Sequence, residues 1–422
     1  MEDKKKFSAI IASILFFFLF WIVQGQALTC TLIVVSGKAT TSGRPLMWKN
    51  RDTSQLLNKL MYFKGVKYRF IGLIDSDDAE GKEIWAGLNE KGLAVMNSQA
   101  DDLAAKDKKF DGAGNGAFMK KALGECATVD DFEKLLQREN GKWDLAANFG
   151  VIDALGGAAF FETSSEYYTR FDADDKKVAP FGYLVRTNFS YTSPDYLQGG
   201  GFIRFERMNH LAEMARATGQ LEVRFILQQA ARDLIHEKLH SYPLSRTLPE
   251  DSACPLYINT SDTINRHSTA SAVVFEGAPS AERPDLATMW VILGQPISGV
   301  AIPVWPYAGQ VPRVATAPGQ QTSAINAFSR KLVAYLYPDF RGRMPQYLNV
   351  NRLRTYGGEG VLSKLLRIED QVLEKAQAQL KLWEKKKEPP ARVAEFQEAL
   401  AEFVLKSLLE EFPDSRLTGD DR

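Results

Sequence analysis

Cys30-Thr31-Leu32-Ile33-Val34-Val35 is the stretch that most limits what this chain can fold into. An apolar, β-branched run of this kind is predicted to be a buried strand. Ser36 to Pro45 carries Gly37, Gly43 and Pro45 and reads as a hairpin turn, after which Leu46-Met47-Trp48 starts the returning strand. Further strands are predicted at Tyr68–Ile74, Glu83–Leu88, Leu93–Asn97, Phe149–Asp153, Ala158–Glu162, Tyr167–Phe171, Tyr183–Thr187, Ser271–Glu276 and Thr288–Leu293. Helical spacing marks Gly116–Cys126, Val129–Arg138, Arg204–Arg216 and Val223–Leu239, the second opened by Thr128 and Asp130 as cap candidates. Strand runs interrupted by helical pairs predict a layered α+β domain rather than a parallel doubly wound one.

Ahead of Cys30 stands a leader. Met1 to Lys6 carries three lysines, Phe7 to Val23 is almost unbroken apolar, and Gln24-Gly25-Gln26-Ala27 is small and polar. This is the order of a secretory signal peptide, and the apolar run is slightly short of the roughly 20 residues of a spanning helix. The expectation is cleavage after Ala27 and an exported, periplasmic or secreted, protein with no stable membrane anchor. Residues 28–29 would remain as a short propeptide. A lipidation signal takes Leu three residues before the cysteine and a small residue just before it; Ala27-Leu28-Thr29 does not match.

Composition narrows the function classes. The 422 residues are 45% apolar and 25% charged, enough for a sizeable core, and the formal net charge is +0. No basic excess points to nucleic acid. Cys30, Cys126 and Cys254 cannot build a disulfide framework; Cys126 and Cys254 either pair or stay as separate buried thiols. From Gly360 the composition shifts to Leu, Lys, Glu, Gln and Ala, broken by Lys385-Lys386-Lys387-Glu388-Pro389-Pro390. Residues 360–413 read as a helical hairpin, a packing appendage or a homo-oligomer contact, behind a main domain of residues 30–359. Residues 414–422 read as a frayed tail.

The chemistry-bearing set begins at Cys30. Lys49-Asn50-Arg51-Asp52 closes the returning strand, and a hairpin brings it back beside the chain start. An α-amino group titrates near 7.7–8.0 and can act as a base near neutrality. A carboxylate such as Asp52 would hold that amine, and Lys49 or Arg51 would favour the thiolate. The same residues also read as a surface charge cluster on a turn.

Five short motifs in order resemble the N-terminal-nucleophile hydrolases of linear amides. That family includes penicillin V acylases, conjugated bile salt hydrolases and acyl-CoA:6-aminopenicillanic acid acyltransferases. The motifs are Cys30-Thr31 with Lys49-Asn50-Arg51-Asp52; Asn89-Glu90-Lys91-Gly92-Leu93-Ala94-Val95, leading to Asn97; Phe149 to Ala154 with Phe161-Glu162; Thr187-Asn188; and Arg204-Phe205-Glu206-Arg207. The resemblance implies a four-layer αββα sandwich. It implies Cys30 as nucleophile and, through its own amine, base, with Asp52 binding that amine. Asn188 would donate to the oxyanion or orient the nucleophile, Asn97 would be a second donor, and Arg204 would hold the site together. The substrate implied is a small N-acyl amide, cleaved through a Cys30 thioester by water or by an accepting amine, with no metal or organic cofactor. Two departures stand out. Lys49 occupies a place where the bile salt hydrolases carry Arg, which Arg51 would have to replace. Gly199-Gly200-Gly201 precedes Arg204 where serine is frequent.

Two other readings attach to the chain. One is a non-catalytic envelope binding protein, anchored through its leader or a lipid on Cys30. The other is a zinc metallopeptidase, since His236-Glu237-Lys238-Leu239-His240 matches H-E-x-x-H on a predicted helix. His210 and His267 are expected to be structural, and Trp290, Trp305 and Tyr307 core or pocket wall. Asn188-Phe189-Ser190 and Asn259-Thr260-Ser261 fit the glycosylation pattern of a eukaryotic secretory route.

Overall fold

The computed structural model describes residues 30–104, 113–139, 141–239, 256–338, 345–354 and 360–413. The leader expected at 1–27, the propeptide expected at 28–29, His240, Cys254 and the tail expected at 414–422 lie outside the described residues. Fifteen strands are described: β1 (Cys30–Val35), β2 (Leu46–Asp52), β3 (Asn58–Lys64), β4 (Arg69–Asp75), β5 (Ala86–Asn89), β6 (Ala94–Gln99), β7 (Ala147–Ile152), β8 (Ala158–Thr163), β9 (Tyr168–Asp172), β10 (Tyr183–Arg186), β11 (Tyr257–Asn259), β12 (Thr269–Glu276), β13 (Thr288–Leu293), β14 (Ile302–Val304) and β15 (Tyr347–Asn349). The helices are α1 (Ala113–Glu125), α2 (Val129–Glu139), α3 (Phe202–Ala217), α4 (Val223–Gln228), α5 (Ala324–Leu336), α6 (Val350–Leu353), α7 (Val361–Lys385) and α8 (Pro390–Glu411).

Two antiparallel sheets stack face to face. One has the order β10-β1-β2-β12-β13-β14, and the other runs β3 to β9 in sequence order. The first packs on the second through β1 and β2 against β6, β7 and β8. Helix α1 lies on the outer face of the seven-stranded sheet, over β4, β5 and β6; α3, α4, α5 and α8 lie on the six-stranded sheet. The four-layer αββα order implied by the sequence resemblance is the order observed.

Strand alternation explains how each sheet serves two cores. On β8, Phe160 enters the inter-sheet core and Phe161 the core beneath α1 and α2, its ring 5.1 Å from Phe132. With both faces covered, β1 and β2 are buried throughout; β1 accordingly reads as a nearly continuous apolar run, while β2 carries Lys49, Asn50, Arg51 and Asp52 into the interior.

The C-terminal hairpin is packed into the outer helical layer. Leu365, Ile368, Val372, Leu373 and Ala376 of α7 belong to the same core cluster as β1 and β2. Glu369 on α7 takes Arg232 in a two-pronged ion pair at 2.8 and 2.9 Å, and both side chains are fully enclosed. Trp305 is core, set edge-on against Trp383 at 5.1 Å. No helix among the described residues is long and apolar enough to cross a membrane.

One element corrects the sequence reading. The helix expected over Val223–Leu239 ends at Gln228, and a 3-10 turn follows over Ala230–Arg232. The Arg232 side chain turns inward to Glu369 and to the carbonyls of Leu227, Pro296 and Gly299, which ends the helical path.

Candidate active site

Cys30 is the first residue of β1, beside β10 and opposite Arg51 of β2. Its backbone nitrogen donates to Asn188 Oδ1 at 2.7 Å. Asn188 follows β10 and is held by a two-way backbone bridge to Gly200. Its amide nitrogen donates to the Gln99 carbonyl at 2.8 Å. Asn188 thus orients the Cys30 nitrogen, and this amide proton is spent on the protein rather than turned to an oxyanion.

Arg204, from the first turn of α3, is 1% exposed and inserts beneath Cys30. Nη1 donates to the Cys30 carbonyl at 2.6 Å and to Thr31 Oγ1 at 2.8 Å, and Nη2 to Asn188 Oδ1 at 3.3 Å. The same Nη1 stands 3.9 Å from Asp52 Oδ2, and Arg266 Nη1 approaches that oxygen to 3.7 Å. Asp52 Oδ1 accepts from Thr269 Oγ1 at 2.7 Å. A register shift between Thr269 and Ser271 sets Thr269 opposite Asp52, a bulge re-aiming one side chain at a site. Asp52 Oδ2 is buried without a hydrogen-bond partner. Burial pushes the Asp52 carboxyl above its usual range, against the pull of Arg266, Arg204 and Thr269. Burial also draws Arg204 down to about 10, against the pull of Asp52. In both groups the loss of hydration outweighs the pairing that replaces it.

Gly201 explains how Arg204 reaches the site. It caps α3 with φ +82°, and a Cβ there would lie 2.5 Å from Arg204 Nη2 and 2.9 Å from Thr187 Cβ. Of the three glycines before Arg204, Gly201 thus makes room for the guanidinium. Gly201→Ala is expected to cost about 1–2 kcal/mol for the left-handed backbone and to displace Arg204, lowering the melting temperature and any Cys30-dependent activity. Gly200→Ala, where a Cβ meets nothing within 4 Å, is expected to change neither; equal effects from the two substitutions would refute this role.

Lys49 crosses between the sheets. Its Nζ donates to Asn97 Oδ1 on β6 at 3.0 Å and to the Trp85 carbonyl at 2.9 Å. The protonated ammonium carries donors only, so in that form the contact sets the Asn97 oxygen toward Lys49. Arg51 does not substitute for the family's arginine. Its guanidinium is bound to both Asp75 oxygens at 2.7 and 3.1 Å and to Asn58, over the face of Trp85.

The structure therefore gathers Cys30, Asp52, Asn188 and Arg204 into one cluster, places Lys49 with Asn97 at the sheet interface, and commits Arg51 elsewhere. Sequence reading missed Arg266 and Thr269, which face Asp52 from the 262–269 stretch, and Gln99. It also missed Asn148, which donates to the carbonyls flanking Asn188, those of Thr187 and Phe189, at 3.4 and 3.1 Å.

The metallopeptidase geometry is not formed by the described residues. His236 and Glu237 lie in irregular backbone past the 3-10 turn, not on a helix. His236 Nδ1 accepts from the Lys238 and Leu239 amides, and Glu237 pairs with Arg207 and His210. Asn188 is enclosed and bonded at both ends, so its glycosylation pattern is not an available acceptor. Cys126 is a buried free thiol, pushed up to about 12 by burial and by Asp131 and Glu125. His267 is drawn down to about 4 by burial and Arg266.

No family model matches the chain, and no curated protein matches it in sequence. Among solved structures it is similar to penicillin V acylase from Agrobacterium tumefaciens, at 14% identity and a TM-score of 0.37 over 65% of this chain and 86% of that one. It is similar to a mutant conjugated bile acid hydrolase from Clostridium perfringens, at 11% identity and a TM-score of 0.38 over 65% of this chain and 92% of that one. A Caenorhabditis elegans N-acylethanolamine-hydrolyzing acid amidase ortholog aligns at 12% identity and a TM-score of 0.33, covering 58% of this chain and 92% of that one. The structural similarity to these amidases is distant.

Proposed function

We propose that this chain is an exported N-terminal-nucleophile hydrolase that cleaves linear amide bonds of N-acyl compounds through a thioester on Cys30. One observation carries the reading: the site is built around the backbone nitrogen of a cysteine. That nitrogen is held by Asn188 Oδ1, and one guanidinium ties Cys30 and Asn188 to Asp52. A structural cysteine needs no such arrangement.

In the full chain the Cys30 nitrogen is a peptide nitrogen and not basic. Freed, it becomes an α-amine, and its added N–H groups can donate to the Asp52 oxygen that accepts no hydrogen bond. The amine takes the thiol proton as Sγ attacks the amide carbon. The collapsing tetrahedral intermediate expels the leaving amine, which takes that proton, and the acyl group stays on Sγ. Water then attacks the thioester, its proton passing through the α-amine to Sγ. Asn97, its oxygen fixed by Lys49, presents its amide nitrogen as the oxyanion donor.

The test is a panel of N-acyl amides with a chromogenic leaving amine, mixed rapidly with the enzyme and quenched in acid. The expected result is a burst of amine and an acyl mass increment on the peptide that begins at Cys30. Turnover with the increment on another residue, or no turnover across aliphatic and aromatic acyl groups, would refute the proposal.

A further inference from the structure

Removing whatever precedes Cys30 poses a chemical problem that the mature mechanism does not. While Cys30 is acylated by the residue before it, its nitrogen has no basic lone pair, so the thiol needs another base. The register shows where one stands. Cys30 pairs with Arg51, and Lys49 lies two residues away on the same strand. All three side chains therefore share one face of the six-stranded sheet, and a diagonal neighbour is within reach of a long side chain. Lys49 Nζ is anchored on that face by two acceptors from the opposite side, Asn97 Oδ1 and the Trp85 carbonyl. A neutral amine has two protons and one lone pair. The two acceptors account for both protons, which leaves the lone pair.

We propose that Lys49 is the base for self-release of Cys30 from the residues in front of it. The assignment rests on the reading of Cys30 as an N-terminal nucleophile. Lys49 Nζ takes the Sγ proton, and the thiolate attacks the carbonyl carbon of Thr29. The bond from that carbon to the Cys30 nitrogen breaks as the nitrogen takes the proton from Lys49, leaving Thr29 joined to Sγ as a thioester. Water then splits the thioester, giving its hydroxyl to Thr29 and a proton to Sγ.

The electrostatics agree. Burial draws Lys49 down to about 8; Cys30 opposes this most strongly, Arg51 adds to it, and Asp52 and Asp75 oppose it. A neutral Lys49 is thus accessible in mildly alkaline solution. The inference also gives the departure from the family's arginine a meaning, because a guanidinium stays protonated and cannot act as this base.

The test follows residue loss from the full-length chain by intact mass, for wild type, Lys49→Met and Lys49→Arg. Melting curves confirm that each is folded. Wild-type processing is expected to rise with pH and level off above about 8. Both variants are expected to process at least ~100-fold more slowly, as loss of a general base requires. Wild-type processing rates in both variants, or a wild-type rate flat across neutral and alkaline pH, would overturn the assignment. Absence of turnover in pre-cut wild type would instead overturn the proposed function, while the processing rates still decide the role of Lys49.

Discussion

Cys30→Ala is expected to lower turnover of N-acyl amides by roughly 10³-fold or more, because removing the residue that carries the covalent intermediate removes the reaction path itself. The fold should survive. Alanine keeps the backbone nitrogen that Asn188 binds and the carbonyl that Arg204 binds, so only the sulfur contacts are lost. The variant should also retain whatever precedes position 30, since self-release needs the thiol. The measurements are kcat with a chromogenic amide, intact mass and a melting curve. A folded Cys30→Ala chain with wild-type kcat would show that the cysteine is not the nucleophile.

Glu369→Ala is expected to destabilise the chain by about 3–5 kcal/mol, the cost of stranding a buried charge. Arg232 would keep three carbonyl acceptors, those of Leu227, Pro296 and Gly299, but lose both carboxylate oxygens. The Ala301 amide would lose its acceptor as well. This ion pair ties α7 to the turn after α4, so the loss should loosen the C-terminal hairpin against the six-stranded sheet. Pairing the substitution with Arg232→Met should recover part of the loss and not all of it, because the three carbonyls would then be unpaired. Urea denaturation measures the difference; a midpoint unchanged in Glu369→Ala would mean that the hairpin is not held through this contact.

Much of the sandwich was legible because buried strands are apolar and their turns carry glycine and proline. β3 was not, because Lys59 and Lys64 flank it and leave only the short run Leu60-Met61-Tyr62-Phe63. Helix α5 was also missed, although Ser323 caps it and Ile325, Phe328, Leu332 and Leu336 fall at helical spacing. The over-long helix after Val223 shows the reverse: local periodicity continued, but the buried demand of Glu369 for Arg232 ended it. At the site, Cys30, Asp52, Asn188 and Arg204 were legible as an ordered set of motifs. Arg266 and Thr269 were not, because their approach to Asp52 depends on a strand pairing and a bulge that no local pattern encodes. The competing use of Arg51 was hidden for a similar reason. Its partner Asp75 lies on β4, brought near by the stacking of two sheets.

The central claim is that the working enzyme begins at Cys30. Fragment-ion mass spectrometry of the N-terminal peptide from active protein tests it most directly. An unmodified cysteine at position 30 is expected as the first residue, with loss of activity when that residue is alkylated. A fully active chain that keeps Thr29 or any residue before it, or that carries a lipid on Cys30, would contradict the account.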